Sequence, residues 1–171
     1  MDLFLDTCVI ISYHIPCHPH NKIVSDFYSN NHINSQTTCQ RVEREVNKKL
    51  REILEEFKNS GELSDTDIRK IRHAVKKFLR NIFIDDFSKL DDFLFDDLIM
   101  FIGNTIPNSS DRIIFANAVL WCWRYNPDHP VFLTLDKNDY HDIPNIENSV
   151  DNWISANKIN INKRLNICIL L

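Results

Sequence analysis

The sequence predicts an α/β protein in three layers, a central parallel sheet with helices on both faces. Leu3-Phe4-Leu5 and Val131-Phe132-Leu133-Thr134-Leu135 are short apolar runs, each followed at once by an aspartate, Asp6 or Asp136. Runs of this kind read as strands buried on both sides. Between the strand candidates, apolar residues recur every three or four positions, the spacing of amphipathic helices. Strands separated by helices require right-handed crossovers, and these set the strands parallel.

The elements follow in order. Val9 to Tyr13 starts a helix that Pro16 and Pro19 interrupt. His14, Cys17, His18 and His20 fall in this stretch, but without the paired-ligand spacing of a zinc site, so a polar loop is expected. Asn21 to Tyr28 is a short amphipathic helix, and His32-Ile33-Asn34-Ser35 reads as a second strand running into Thr37 and Thr38 as helix caps. Val42, Val46, Leu50, Ile53, Leu54 and Phe57 mark a long helix ending at Asn59-Ser60-Gly61. Ser64 and Asp67 form a capping box for the next helix. That helix carries Ile68, Ile71 and Val75 on one face and Arg69, Arg72, Lys76 and Arg80 on another. A third helix, broken near Ser88, is expected from Asp85 to Phe101, with Gly103 and Pro107 ending it. Asn108 to Asp111 leads into a helix from Arg112 to Tyr125. Val150 to Ala156 is a short helix and Asn166 to Leu170 a last strand. The expectation is one domain over residues 1–171, with a helical insertion at about 47–104.

With 171 residues, 43% of them hydrophobic, the chain is long enough for a real core. It has no apolar run of membrane-spanning length. It opens on a strand with no basic and apolar leader, so a cytoplasmic location is expected. With a formal net charge of -4 the chain is not globally basic, which weakens a reading as a tight, non-specific nucleic-acid binder and leaves room for a local basic surface. The five cysteines contain no C-x-x-C pair and read as reduced, mostly buried small hydrophobes.

Four carboxylates stand at corresponding places. Asp6 ends strand one, Glu45 lies early in the helix after strand two, Asp111 opens the helix before the third strand, and Asp136 ends that strand. In a doubly wound sheet such places converge on one edge, where ligands bind beyond the carboxyl ends of the strands. Carboxylates gathered there repel one another unless a cation neutralises them. Hard divalent cations take oxygen ligands and meet phosphate, so the set points to metal-assisted attack on a phosphodiester. Each acid also has a plainer reading. Asp6 and Asp111 can cap helices, and Asp136 with Asp139 can make a turn. Glu43 competes with Glu45, and the Val42-x-x-Glu45-Val46 spacing favours Glu45. The row Arg69, Arg72, Lys76 and Arg80 is either a solvated face or a phosphate track.

Leu3-Phe4-Leu5-Asp6-Thr7-Cys8 resembles the opening strand of PIN domains. Val42-Glu43-Arg44-Glu45-Val46 resembles their second motif, and Asn108-Ser109-Ser110-Asp111 with Ile113, Ile114, Ala116 and Ala118 their third. Phe132-Leu133-Thr134-Leu135-Asp136 with Asp139 and Tyr140 resembles the fourth. The order matches over roughly Met1 to Tyr140, plus the last strand. The resemblance implies a PIN-like fold and a VapC-like ribonuclease that cuts single-stranded RNA and leaves a 5′-phosphate. It implies Asp6, Glu45, Asp111 and Asp136 as the catalytic acids. Asp6, Asp111, Asp136 and a supporting Asp139 would hold one or two Mg²⁺ or Mn²⁺ ions, with Thr134 as a polar neighbour. As partners it implies RNA, a protein antitoxin and a second copy of the chain. Two departures are visible: Cys8 stands where a small polar residue is frequent, and the insertion is larger than in compact toxins. The rival readings are a non-catalytic PIN-like module that binds RNA or a protein, and a structure-specific DNA nuclease.

Overall fold

Five parallel strands form one sheet in the order β3-β2-β1-β4-β5. The computed structural model describes residues 1–171. The strands are β1 (Asp2–Leu5), β2 (Ser35–Cys39), β3 (Phe83–Asp85), β4 (Pro130–Thr134) and β5 (Asn166–Ile169). The helices are α1 (Thr7–His14), α2 (Asn21–Asn30), α3 (Gln40–Asn59), α4 (Asp65–Asn81), α5 (Asp92–Phe101), α6 (Ser109–Tyr125) and α7 (Ile143–Asn157), with a 3₁₀ turn at Phe87–Leu90. One layer packs α1 to α4 together, and the other groups α5, α6 and α7. This division follows from connectivity. The chain leaves β1 toward β2 and β3, then crosses back to β4 and β5, and right-handed crossovers in opposite directions lie on opposite faces. The three-layer α/β fold class is the one expected.

The core forms between the layers. Every residue of β1 is buried, and Phe4 packs its ring near those of Phe87, Trp121 and Phe132. Small Ala116 and Ala118 let α6 lie close to the sheet, and nine consecutive residues of that helix, Ile114 to Cys122, are buried. α4 begins with the Ser64–Asp67 capping box, with both hydrogen bonds present.

Several expectations are corrected. The second strand is Ser35–Cys39, not His32–Ser35. Thr37 and Thr38 lie inside it rather than capping α3, and the Thr38 hydroxyl donates to the Leu5 carbonyl at 2.7 Å. Both are β-branched, which suits a strand. The expected single helix from Asp85 to Phe101 is instead the end of β3, a 3₁₀ turn and α5. The stretch from 47 to 104 therefore contributes a strand to the sheet, paired Thr37 to Phe83 and Cys39 to Asp85. α7 starts at Ile143, seven residues before the expected Val150, with Asp142 accepting from the Asn145 N–H as its cap.

Candidate metal centre

The direction of the connections reverses between β1 and β4, and the crevice beyond the carboxyl ends of those two strands is the switch point of the sheet. α1 follows β1 and α3 follows β2 at this edge, while α6 starts beside the loop that leaves β4. Three helix N-termini thus lie at this edge, each with a positive dipole end, and those of α1 and α6 are capped by Asp6 and Asn108.

Asp6 sits at the end of β1 and is 3% exposed. One of its oxygens accepts from the Thr7 N–H. The other accepts from the Thr134 hydroxyl at 2.6 Å and from the Cys8 thiol at 3.2 Å. Burial raises its pKa above the ordinary carboxylate value, against the lowering effect of these donors. The Cys8 thiol also accepts from the Leu135 N–H, and burial together with Asp6 keeps it protonated.

Thr134 Oγ1 links the two strand ends. It donates to Asp6 and accepts from the Asp136 N–H at 3.0 Å. Asp136 then closes a turn, one oxygen accepting from the Asn138 and Asp139 N–H groups. Asp139 accepts from the Asn108 N–H at 3.3 Å, which ties this turn to the start of α6. Asn108 is the cap of α6, so Asp111 is free of that duty and lies in the first turn. The Tyr140 hydroxyl, on a fully buried ring, donates to the Asp111 carbonyl.

Asp111, Asp136 and Asp139 bring one carboxylate oxygen each to within 4.8 Å of one another, and all three are half-buried. Burial raises the Asp111 pKa to about 7, and Asp6, Asp139 and Asp136 add to the rise by repulsion. Three hard oxygen donors under mutual repulsion suit a hard divalent cation. Asp111, Asp136 and Asp139 form a cluster that could hold a metal ion. Asp6 is not one of the three, and its oxygens accept from Thr7, Thr134 and Cys8.

Glu45, not Glu43, turns toward this edge. It accepts from the Thr7 hydroxyl at 3.2 Å and from the Ser110 hydroxyl. Arg41 and Lys49 flank it at 3.2 and 3.5 Å. Burial pushes its pKa up, but these hydroxyls and cations outweigh burial and leave it lowered. The sequence marked Ser110 only as part of a motif and gave Arg41 and Lys49 no role. The signals were their positions: Ser110 precedes Asp111, and Arg41 and Lys49 are four residues either side of Glu45.

Glu43 lies about 200° around the same helix from Glu45. It lines a groove between α3 and α4 with Arg51, Arg72, Lys76 and Arg80. The α4 row thus faces the flank of α3 turned away from the acids, and Arg69 lies outside that groove. No protein-family model matches the chain, and no curated protein matches it.

Proposed function

We propose that the chain is a metal-dependent endoribonuclease of PIN type, which cuts phosphodiester bonds of single-stranded RNA with Mg²⁺ or Mn²⁺. The observation that carries this reading is the trio of Asp111, Asp136 and Asp139 at the switch point of a parallel sheet. Asp111, Asp136 and Asp139 would hold the ion. When bound, a cation at such a site lowers the pKa of a water and offsets charge on the phosphate. The N-termini of α1, α3 and α6 lie at the same edge and favour an anionic phosphate there. Glu45 is held ionised by Ser110, Thr7, Lys49 and Arg41, so it completes the acidic edge and helps orient the attacking water, while its lowered pKa makes it a poor proton acceptor. Asp6 acts one step back, holding the ends of β1 and β4 together through Thr134. The preference for RNA, the 5′-phosphate product, the antitoxin and the second copy rest on the PIN resemblance.

The test uses purified protein, a labelled single-stranded RNA, and Mn²⁺ or a chelator. Products are expected only with the ion, and Asp136→Asn is expected to abolish both cleavage and Mn²⁺ binding while remaining folded. A folded Asp136→Asn protein that cleaves as well as the wild type refutes the mechanism. Tight RNA binding with no cleavage under any ion favours a non-catalytic RNA-binding module.

A further inference from the structure

Two depressions flank the acids and meet at Lys49. One, on α3, is lined by Arg41, Arg44, Lys48 and Lys49 together with Glu45 and Glu52, and has no apolar residue. The other is a groove of ≈ 600 Å³ between α1, α3 and the loop after β4. Its walls include Ile11, Ile53 and Leu135, and its polar groups include His18, His20, Lys49, Lys137 and Asp136. The first depression contains Glu45 and the second contains Asp136, so a chain running from one to the other passes these two acids. Lys48 and Lys137 have no acidic partner within 4 Å, and Arg44 bonds only Gln40. Ser12, 1% exposed, also lines the groove, and its hydroxyl has no partner in the protein.

We propose that the substrate strand crosses the acids along this band, from Arg44 and Lys48 over Lys49 into the groove of His18, His20 and Lys137. This rests on the nuclease reading and names its substrate path. The chemistry differs along the band. The α3 end is wholly polar and suits a phosphate backbone, where each neutralised phosphate releases counterions. The groove combines cations with aliphatic walls and two imidazole rings, so it suits a nucleotide whose base leaves water while its phosphate stays paired. The α4 row, although more basic, opens on the other flank of α3 and lies off this path.

The experiment measures binding of a fluorescein-labelled single-stranded RNA of about 12 nucleotides, a length within the usual site sizes, by anisotropy in chelator at low salt. Cleavage by the wild type with Mn²⁺ is followed separately. Two variants are compared: Lys48→Ala/Lys137→Ala/His20→Ala, all at exposed positions, and Arg72→Ala/Lys76→Ala, also exposed. The first should weaken binding about tenfold or more and flatten log Kd against log salt by about 0.7 for each lysine removed. The second should change Kd less than twofold, and Mn²⁺ affinity should hold in both. Unchanged binding in the first variant, an equal or larger loss in the second, or no binding by the wild type overturns the path. Binding that the first variant loses, with no Mn²⁺-dependent cleavage by the wild type, overturns the nuclease reading and leaves the path standing. Cleavage with unchanged binding in the first variant does the reverse.

Discussion

Asp111→Asn should stabilise the metal-free protein, and the size of the effect follows from the crowding at the site. Asp111 titrates at about 7 in the folded chain, against an ordinary value of 3.8, because it is half-buried among Asp6, Asp139 and Asp136. Between those two values the folded protein keeps a proton that the unfolded chain has lost. Stability therefore falls as pH rises through this window, and the loss is complete above about pH 7. At 1.36 kcal/mol per pH unit the full difference is roughly 4 kcal/mol. Asp111 is partly exposed, so solvent screening reduces this to about 2 kcal/mol. For a chain of this length 2 kcal/mol corresponds to about 4–8 °C in Tm. The assay is thermal and urea unfolding in chelator from pH 5 to pH 8. The wild type should lose stability across that range, and the Asn variant should lose less and exceed the wild type by that margin at pH 8. A cation at a hundred times its Kd should then stabilise the wild type by about 2.7 kcal/mol and the variant far less. A variant no more stable than the wild type at pH 8, or equally stabilised by Mn²⁺, would refute the reasoning.

Two more variants separate holding from chemistry. Asp6→Ala strips the partner from the Thr7 N–H, the Thr134 hydroxyl and the Cys8 thiol in a buried place, and should cost about 2–3 kcal/mol. Asp6→Asn keeps an acceptor for Thr7 and removes a buried charge, so its urea midpoint should stay close to that of the wild type; equal losses in both variants would show that the hydrogen bonds are not what matters. Thr134→Val keeps the shape but leaves the Asp136 N–H without its acceptor; it should cost about 1–3 kcal/mol and weaken Mn²⁺ binding measured by calorimetry, with Thr134→Ser restoring both. Unaltered Mn²⁺ affinity in Thr134→Val would mean that the turn after β4 is set by something else.

What the sequence made legible depended on how local the signal was. β1 and β4 were readable because strands buried on both faces need uninterrupted apolar residues. The start of α4 was readable because a capping box is complete within four residues. β3 was not. Phe83-Ile84-Asp85 has only three residues, lies at the sheet edge, and sits between Leu79 and Phe87 at spacings that continue a helix. Only its pairing with β2 makes it a strand, and that pairing is invisible along the chain. β2 was misplaced for a related reason. Its Ser-Gln-Thr-Thr-Cys sequence is polar enough to pass for a helix start, although Thr37 and Thr38 are buried. Among the site residues the carboxylates stood out at element ends. The Ser110 contact to Glu45 spans 65 residues and exists only once α3 and α6 are side by side.

The readings of these acids as caps and turns do not compete with a metal centre. Asp6 does cap α1, and Asp136 does close a turn. A carboxylate has two oxygens, so one can serve a cap or a turn while the group still adds its charge to the edge. Asp136 and Asp139 each use one oxygen on backbone N–H groups, and Asp139 also shares a hydrogen bond with the Asp111 carboxyl while that group keeps its proton. Asp6 uses both on Thr7, Thr134 and Cys8, so its contribution is to position and to add negative charge. The hydrogen bonds that fix the ends of β1 and β4 are thus the ones that crowd the carboxylates together. Neutralising that crowding with a cation removes the main electrostatic cost of the edge, and for this reason metal binding and stability should be measured on the same variants.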